Sequence, residues 1–442
     1  MEQQVIPALI GTTLPGAEPS KRGEHEMSEP LEPQQPTTSS QRTPRRDPVL
    51  SPVNGGTGLR CPPETDTFFH TAQEASAQAE PLRVEEVRGL EGFDVLAPEW
   101  NALVARTDDQ IFYRHEFLRC WLTHFAPHTP LRVLTAREPG GRLVAALALL
   151  EERTTQFGLP VRVLASPSNP HSCRFDMLAE EPSRAGDAFF AHLEKDASWD
   201  LLRIADVPDG GAAWGLLRAA EAREQPVGTW NSARSPYLFL PTTLEGWRGG
   251  PGYNPKALRR RRRRLTERGH SSLVHVSSRE GLEDWLADGF AVERSGWKAR
   301  RGTAISQDPR TLGFYSELAR IAADAGFLSL YFLRLEEKTL AFQFGLSYGG
   351  RYLALKPGYD EAFAQLSPGQ LLTESMIHDC VARGLTELDL LGDETPFKSE
   401  WADQVRVHRW LFVFRNTLMG RTLCSAKFRW VPAARRMMKR WS

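Results

Sequence analysis

The chain has 442 residues, 41% hydrophobic and 25% charged, enough for two or three folded domains of ordinary soluble composition. Its formal net charge is zero, so the whole molecule offers no general electrostatic case for nucleic-acid binding. Five scattered cysteines without a Cys-x-x-Cys argue against a disulfide framework or a zinc site and suit a reducing cytoplasm.

Residues 1–80 hold 11 of the 31 prolines and no aromatic residue before Phe68. Such a segment cannot bury enough apolar surface to offset its ordering entropy, and it reads as disordered. Val5–Ile10 is too short for a signal-peptide core, and Glu2 stands where a basic region belongs. No run approaches the ~20 apolar residues of a membrane span.

From Leu82 the texture changes. Apolar spacing predicts helices over Val95–Val104 and Ile111–Phe125. Strands follow at Leu131–Arg137 and Leu143–Glu151, joined by the turn Pro139-Gly140-Gly141, then at Val161–Ala165 and Phe175–Leu178. Ala185–Leu193 and Gly211–Ala222 read as helices, Asp200–Ile204 as a buried strand, and Tyr237–Leu240 as a short closing strand. After the break at Gly249-Gly250-Pro251-Gly252 the order partly repeats. Helices are expected at Leu258–Arg268, Leu282–Glu293 and Leu312–Ala325, and strands at Ser329–Leu335, Leu340–Tyr348 and Arg351–Lys356. Gly349-Gly350 turns the last pair, since both residues accept positive φ. A helix at Pro368–Arg383, ended by Gly384, and a strand at Glu387–Leu391 complete the block.

The chemistry concentrates in Tyr352–Trp401. Ser367 fits an N-cap, Pro368 the first helical position and Gln370 the third residue after the cap, with Leu371, Leu372, Met376 and Ile377 facing the core. The free N–H groups and positive dipole end of such a helix start bind phosphate, and Gly369 lets a pyrophosphate approach the backbone. His124 and His128 stand four apart, but Pro127 lies between them and no acid is close, so no metal site is expected. His171-Ser172-Cys173 places a base beside a thiol, yet side chains so close in sequence point apart. Arg259–Arg264 is a run of six arginines suited either to a phosphate-rich partner or to a solvated helix.

The run Gly358-Tyr359-Asp360-Glu361, then Ser367-Pro368-Gly369-Gln370-Leu371-Leu372, Gly384 through Glu394, Phe397-Lys398 and Trp401 resembles the CelD-type acetyltransferase-like proteins. These are GNAT-superfamily relatives linked to cellulose and exopolysaccharide pathways and related in fold to the FemABX aminoacyl ligases. Trp297-Lys298 with Gly302-Thr303-Ala304, and the basic helix Lys256–Leu265, are similar as well. Phe397 departs from the tyrosine usual before Lys398, which removes a hydroxyl acid, and the pyrophosphate loop lacks the glycine-rich GNAT signature.

The resemblance implies an α/β fold of two tandem GNAT-like domains with mixed sheets: residues 82–245, degenerate and serving substrate binding, and residues 253–420, the working acyltransferase domain. It implies acetyl-CoA or another acyl-CoA as co-substrate and no metal. The pyrophosphate would sit at Ser367, Pro368, Gly369, Gln370 and Leu371, and backbone groups of Leu355, Lys356 and Pro357 would stabilise the thioester oxygen. Asp360, then Glu361, would be the base, with Tyr359 as an acid. Trp297, Lys298, Lys398 and Trp401 would hold the acceptor, a small molecule or glycan precursor bearing an amine or hydroxyl. The alternatives are a FemABX-like transferase using aminoacyl-tRNA and a non-catalytic scaffold of a polysaccharide-synthesis complex. Nucleic acid is expected only under the tRNA alternative. The tail, residues 421–442, has seven basic residues and no acid, with Phe428, Trp430, Met437, Met438 and Trp441 interspersed, which suits an interfacial helix on an anionic membrane. The expected location is the cytoplasm, peripheral to the inner face of the membrane.

Overall fold

A computed structural model describes residues 80–296, 300 and 302–441. Residues 1–79, Trp297 and Lys298 lie outside the described residues, and with them the disorder expected at the amino terminus and two of the acceptor-binding expectations.

Two antiparallel meanders organise the chain. The first is β1 (Arg83–Arg88), β2 (Leu131–Arg137), β3 (Leu143–Gln156) and β4 (Leu159–Ala165). Between β1 and β2 come α1 (Gly89–Val95), α2 (Ala97–Arg106) and α3 (His115–Phe125). A two-residue strand β5 (Leu178–Ala179), α4 (Pro182–Lys195), β6 (Leu201–Pro208), α5 (Ala213–Ala222) and β7 (Val227–Phe239) complete the first half. The second half opens with α6 (Pro255–Thr266) and β8 (Ser271–Val276), then α7 (Leu282–Arg294) and α8 (Pro309–Asp324). Its meander is β9 (Leu330–Leu335), β10 (Lys338–Tyr348) and β11 (Arg351–Tyr359). It ends with α9 (Pro368–Ala382), β12 (Glu387–Asp389), α10 (Pro396–Ser399) and β13 (Gln404–Phe414).

The strands form one mixed sheet in the order β1-β2-β3-β4-β6-β13-β7-β12-β11-β10-β9-β8, with β5 beside β3. β4 pairs with β6 in parallel, as β11 does with β12; all other pairings are antiparallel. The order is nearly palindromic, so the repeat of element order expected from the sequence is present in the topology. At the centre the halves exchange strands: β13, last in the second half, fills the place between β6 and β7, while β7, last in the first half, pairs with β12. The two halves are therefore hydrogen-bonded into a single sheet across β7 and β13.

One face carries a core shared by both halves, where α3 meets α8 and the rings of Phe117 and Phe314 stand 5.8 Å apart, edge to face. The other face is covered separately, by α4 and α5 over the first half and by α6 and α9 over the second. Several expected elements differ in extent. Val95–Val104 is broken at Leu96, ahead of Pro98, and Ile111–Phe125 begins as a 3-10 turn before the helix starts at His115. The strand expected at Phe175–Leu178 shrinks to Leu178–Ala179, and Tyr237–Leu240 is the end of the 13-residue β7. Among the described residues no helix is long and apolar enough to cross a membrane.

Candidate functional site

Strand β11 parts from β12 at its carboxyl end. The two pair only through Arg351–Leu353 opposite Glu387–Asp389, whereas pairing with β10 continues to Tyr359. Beyond Leu353 β12 no longer pairs with β11. Its register against β10 also shifts, with Ala354 opposite Gly345 and Lys356 opposite Phe344, so Leu355 is an extra residue. Such a bulge bends the strand and re-aims its backbone groups. Gly345 is needed there because a Cβ would stand 2.0 Å from the Tyr352 hydroxyl.

Past Tyr359 the chain turns sharply. The Asp360 carboxylate accepts the Ala362 amide (2.9 Å) and opens a 3-10 segment, Glu361–Leu366. Ser367 follows in the left-handed region, φ 50° and ψ 56°, and its hydroxyl does not cap α9. This corrects the expected side-chain cap, which needs an extended backbone at that position. The Ser367 carbonyl does the work instead, accepting from the amides of Gln370 (3.0 Å) and Leu371 (3.2 Å). The Gly369 N–H has no partner among the described residues. A Cβ on Gly369 would meet only the Tyr359 ring, at 3.9 Å.

Gln370 makes no capping box either; its side-chain amide donates to the Glu400 carboxylate. That bond ties the start of α9 to the segment after β12. There Leu391 and Gly392 both have positive φ, and Asp389 Oδ1 accepts the Leu391 amide at 2.9 Å. Lys398 donates to the carbonyls of Leu391 and, at 2.9 Å, Asp393. A cavity of about 530 Å³ opens beside this loop, lined by Ser232, Arg234, Asp393, Glu394, Thr395 and Ser399. Glu394 pairs with Arg234 at 3.0 Å, while the exposed Asp393 carboxylate has no ion-pair partner among the described residues.

α6 lies against α9 and the 3-10 segment, burying Leu258 and Leu265. Arg262 reaches the Glu374 carboxylate at 2.8 Å, and Arg263 stands 3.4 Å from Glu267. Arg260, Arg261 and Arg264 have no ion-pair partner among the described residues, so α6 carries uncompensated positive charge. α9 itself is buried on nearly all sides, Thr373, Glu374 and Ser375 included, rather than along one stripe.

The residues named from sequence are brought together, but several are occupied. Asp360 is bound by Lys338 at 2.8 Å. Burial works to raise its pKa, but the hydrogen bonds from Lys338 and Ala362 and the Lys338 charge hold it below the usual carboxylate range. Glu361 forms a two-pronged pair with Arg300, at 2.8 and 3.0 Å. Tyr359 is half-buried beside Gly369. Trp401 is buried under Tyr253, ring centroids 5.6 Å apart, and is a core residue. Lys356 extends toward α8, its ammonium 5.7 Å from the Tyr315 ring centre. His171 belongs to the same region, its Nδ1 3.3 Å from the Tyr315 hydroxyl and its ring stacked on Phe125. Cys173 lies beyond it, and burial pushes its thiol up to about 12, which makes it a poor nucleophile. His124 finds a distant acid that sequence spacing did not reveal, Glu317 at 2.6 Å, with the buried Cys120 thiol nearby. The cavity-lining pair Asp393 and Glu394 was missed as a site; two adjacent acids directly after a strand end were the available signal.

Comparison with known proteins bears on this region. Residues 255–399 match the family profile described as acetyltransferase (GNAT) domain, so the second half carries a GNAT-type acetyltransferase domain. No curated protein matches the chain. Among solved structures the chain is similar to FemX, with 12% identity, TM-score 0.48, and coverage of 72% of this chain and 96% of that one. It is also similar to L-PGS from Bacillus licheniformis, with 12% identity, TM-score 0.44, and coverage of 74% and 94%. A tandem GNAT protein from the clavulanic acid biosynthesis pathway matches with 12% identity, TM-score 0.41, and coverage of 74% and 98%.

Proposed function

We propose that the GNAT-type domain of residues 255–399 transfers an acetyl or longer acyl group from acyl-CoA to an amine or hydroxyl of a polar acceptor, such as a glycan precursor. The observation that carries this reading is the edge of β11 that parts from β12 and runs toward the Gly369 amide at the start of α9. A thioester laid along that edge places its carbonyl beside the bulged Leu355–Pro357 backbone and its pyrophosphate at the helix start. Arg260, Arg261 and Arg264 add positive charge for the remaining phosphate. The acceptor enters through the cavity after β12. Asp393, exposed on its wall, takes the proton as the nucleophile attacks the thioester carbonyl and gives it back as the C–S bond breaks, so that CoA leaves as the thiol. Asp360 and Glu361, held by Lys338 and Arg300, keep the β11–α9 turn in shape, and Lys398 fixes the loop that carries Asp393. In this reading residues 253–420 are the working domain and residues 82–245 support the acceptor side.

The six-arginine helix favours one second reading, an aminoacyl-tRNA donor bound at the same gap. The two are separated by measuring which ligand raises the melting temperature of the wild type and of Gly369→Trp. A ligand present at 100 times its Kd stabilises by ~2.7 kcal/mol. Under the leading reading acetyl-CoA or a longer acyl-CoA gives the shift and the substitution abolishes it, without loss of the protein's own melting transition. No response to any acyl-CoA refutes acyl-CoA dependence, and a response to aminoacyl-tRNA alone transfers the site to the second reading.

A further inference from the structure

After β13 the chain crosses the outer face of the central strands. α11 (Leu418–Ser425) leads into a π-helical turn, Ala426–Trp430, and then α12 (Val431–Trp441). The turn is well rooted. The Phe428 ring packs on Phe412 with centroids 5.6 Å apart, and it lies so close over Gly228 that a Cβ there would be 2.4 Å from it. The Lys427 ammonium sits 4.0 Å from the Trp230 ring centre, and burial brings its pKa down to about 8.

Beyond this root, α12 leaves Ala433, Ala434, Met437 and Met438 exposed to solvent. Met437 and Met438 are 62% and 65% exposed and Trp430 is 58% exposed. At 100° per residue, positions 431, 433, 434, 437, 438 and 441, all apolar, occupy one arc of the helix, and positions 435, 436, 439 and 440, all Arg or Lys, occupy the opposite arc. No acidic residue occurs after Asp403, so the last 39 residues (442 − 403) are basic or neutral. An exposed apolar arc costs free energy in water unless something covers it.

We propose that α12, with Trp430 and the exposed Arg421, Arg429 and Arg436, docks this protein on an anionic lipid surface. The charge pattern selects the occupant. A second copy of the chain would bring the same cations against these and be repelled. An acidic bilayer interface accepts the apolar arc among its acyl chains and the cations among its phosphates. This assignment stands on the tail alone and is independent of the acyl-transfer reading.

The test is co-sedimentation of the full chain with vesicles of phosphatidylglycerol and phosphatidylcholine, against vesicles of phosphatidylcholine alone. Wild type is expected to bind the anionic vesicles, and to release them as salt screens the attraction. Met437→Glu/Met438→Glu should lower the partition coefficient at least roughly tenfold, with an unchanged melting temperature because both side chains are exposed. The proposal is overturned by equal binding to both vesicle types, by no binding to either, or by a double variant that binds like wild type. It is also overturned if size-exclusion shows that the variant dissolves a homodimer while vesicle binding is absent, since the arc is then a self-interface. Binding to RNA rather than vesicles overturns it equally.

Discussion

Asp389 is the place where a single atom change should be felt across the whole sheet. It is fully buried and its carboxylate lies 2.5 Å from both Arg174, on the loop before β5, and Arg406, on β13. Asp389→Asn keeps the volume and removes the charge. Breaking a buried ion pair by neutralising one partner costs ~3–5 kcal/mol, because the other partner is left charged and dry. The two arginines do not suffer alike. Arg406 keeps Glu387 at 3.2 Å and is partly exposed, whereas Arg174 is buried and keeps only neutral neighbours, Gln110 Oε1 at 3.3 Å and the Phe112 ring at 5.2 Å, among the described residues. The loss falls mainly on Arg174, which points to the lower end, ~3 kcal/mol. Urea denaturation measures it. Because β7 and β13 cross between the halves, the variant should show one transition at a lower midpoint with an unchanged m-value. Adding Arg174→Met removes the stranded guanidinium and should restore at least ~1 kcal/mol. A single variant within ~1 kcal/mol of wild type would refute the account of the network. Two separate transitions would refute the claim that the exchanged strands couple the halves.

Two further predictions follow from local geometry and titration. Ser367 holds a left-handed conformation without a side-chain bond at the helix start, so Ser367→Gly should raise stability by ~1 kcal/mol in the same urea assay; a fall would show that the hydroxyl has a partner in solution. His171 is half-buried and His408 fully buried, and burial brings their pKa down to about 3 and about 4. The unfolded chain protonates both near pH 6.5, so between about pH 6 and 4 it binds more protons than the native state, and stability falls as pH falls, by ~1.4 kcal/mol per pH unit for each ring. His408→Leu should remove this ring's share of the pH dependence if the mutant still melts cooperatively, and a stability–pH slope between pH 6 and 4.5 identical to that of wild type would contradict the burial of His408.

Elements bounded by strong local punctuation were legible in the sequence. Leu131–Arg137, the Gly349-Gly350 hairpin and the helix opening at Pro368 each carry their own turn or cap residues, and their limits agree with the structure to within a few residues. The central strands were not. Gln404–Phe414 places Arg406 and His408 in mid-sheet, and β7 carries Asn231, Arg234 and Pro236. Only the apolar run Trp410–Phe414 hints at a strand there, and the pairing of either segment depends on partners far away in the chain. At the candidate site the same division holds. The Ser367-Pro368-Gly369 helix start could be read locally, though its left-handed turn could not, since a capping serine and a strained one have the same spelling. The roles of Asp360 and Glu361 depended on Lys338 and Arg300, distant residues that convert two apparent bases into bracing ion pairs.

The crossing of β13 into the first half also sets an order of events during synthesis. β6 ends at Pro208, and the strand that covers its edge begins at Gln404, 196 residues later. At ~5–20 residues per second the ribosome needs roughly 10–40 s to make that stretch. Throughout this interval the nascent amino-terminal half carries an unpaired edge of Leu201–Pro208, with Leu202 and Ile204 ready to template a foreign strand. A chaperone that shields this edge, or a slow stretch of translation that does the opposite, would therefore govern the yield of native protein more strongly than the stability of the finished molecule.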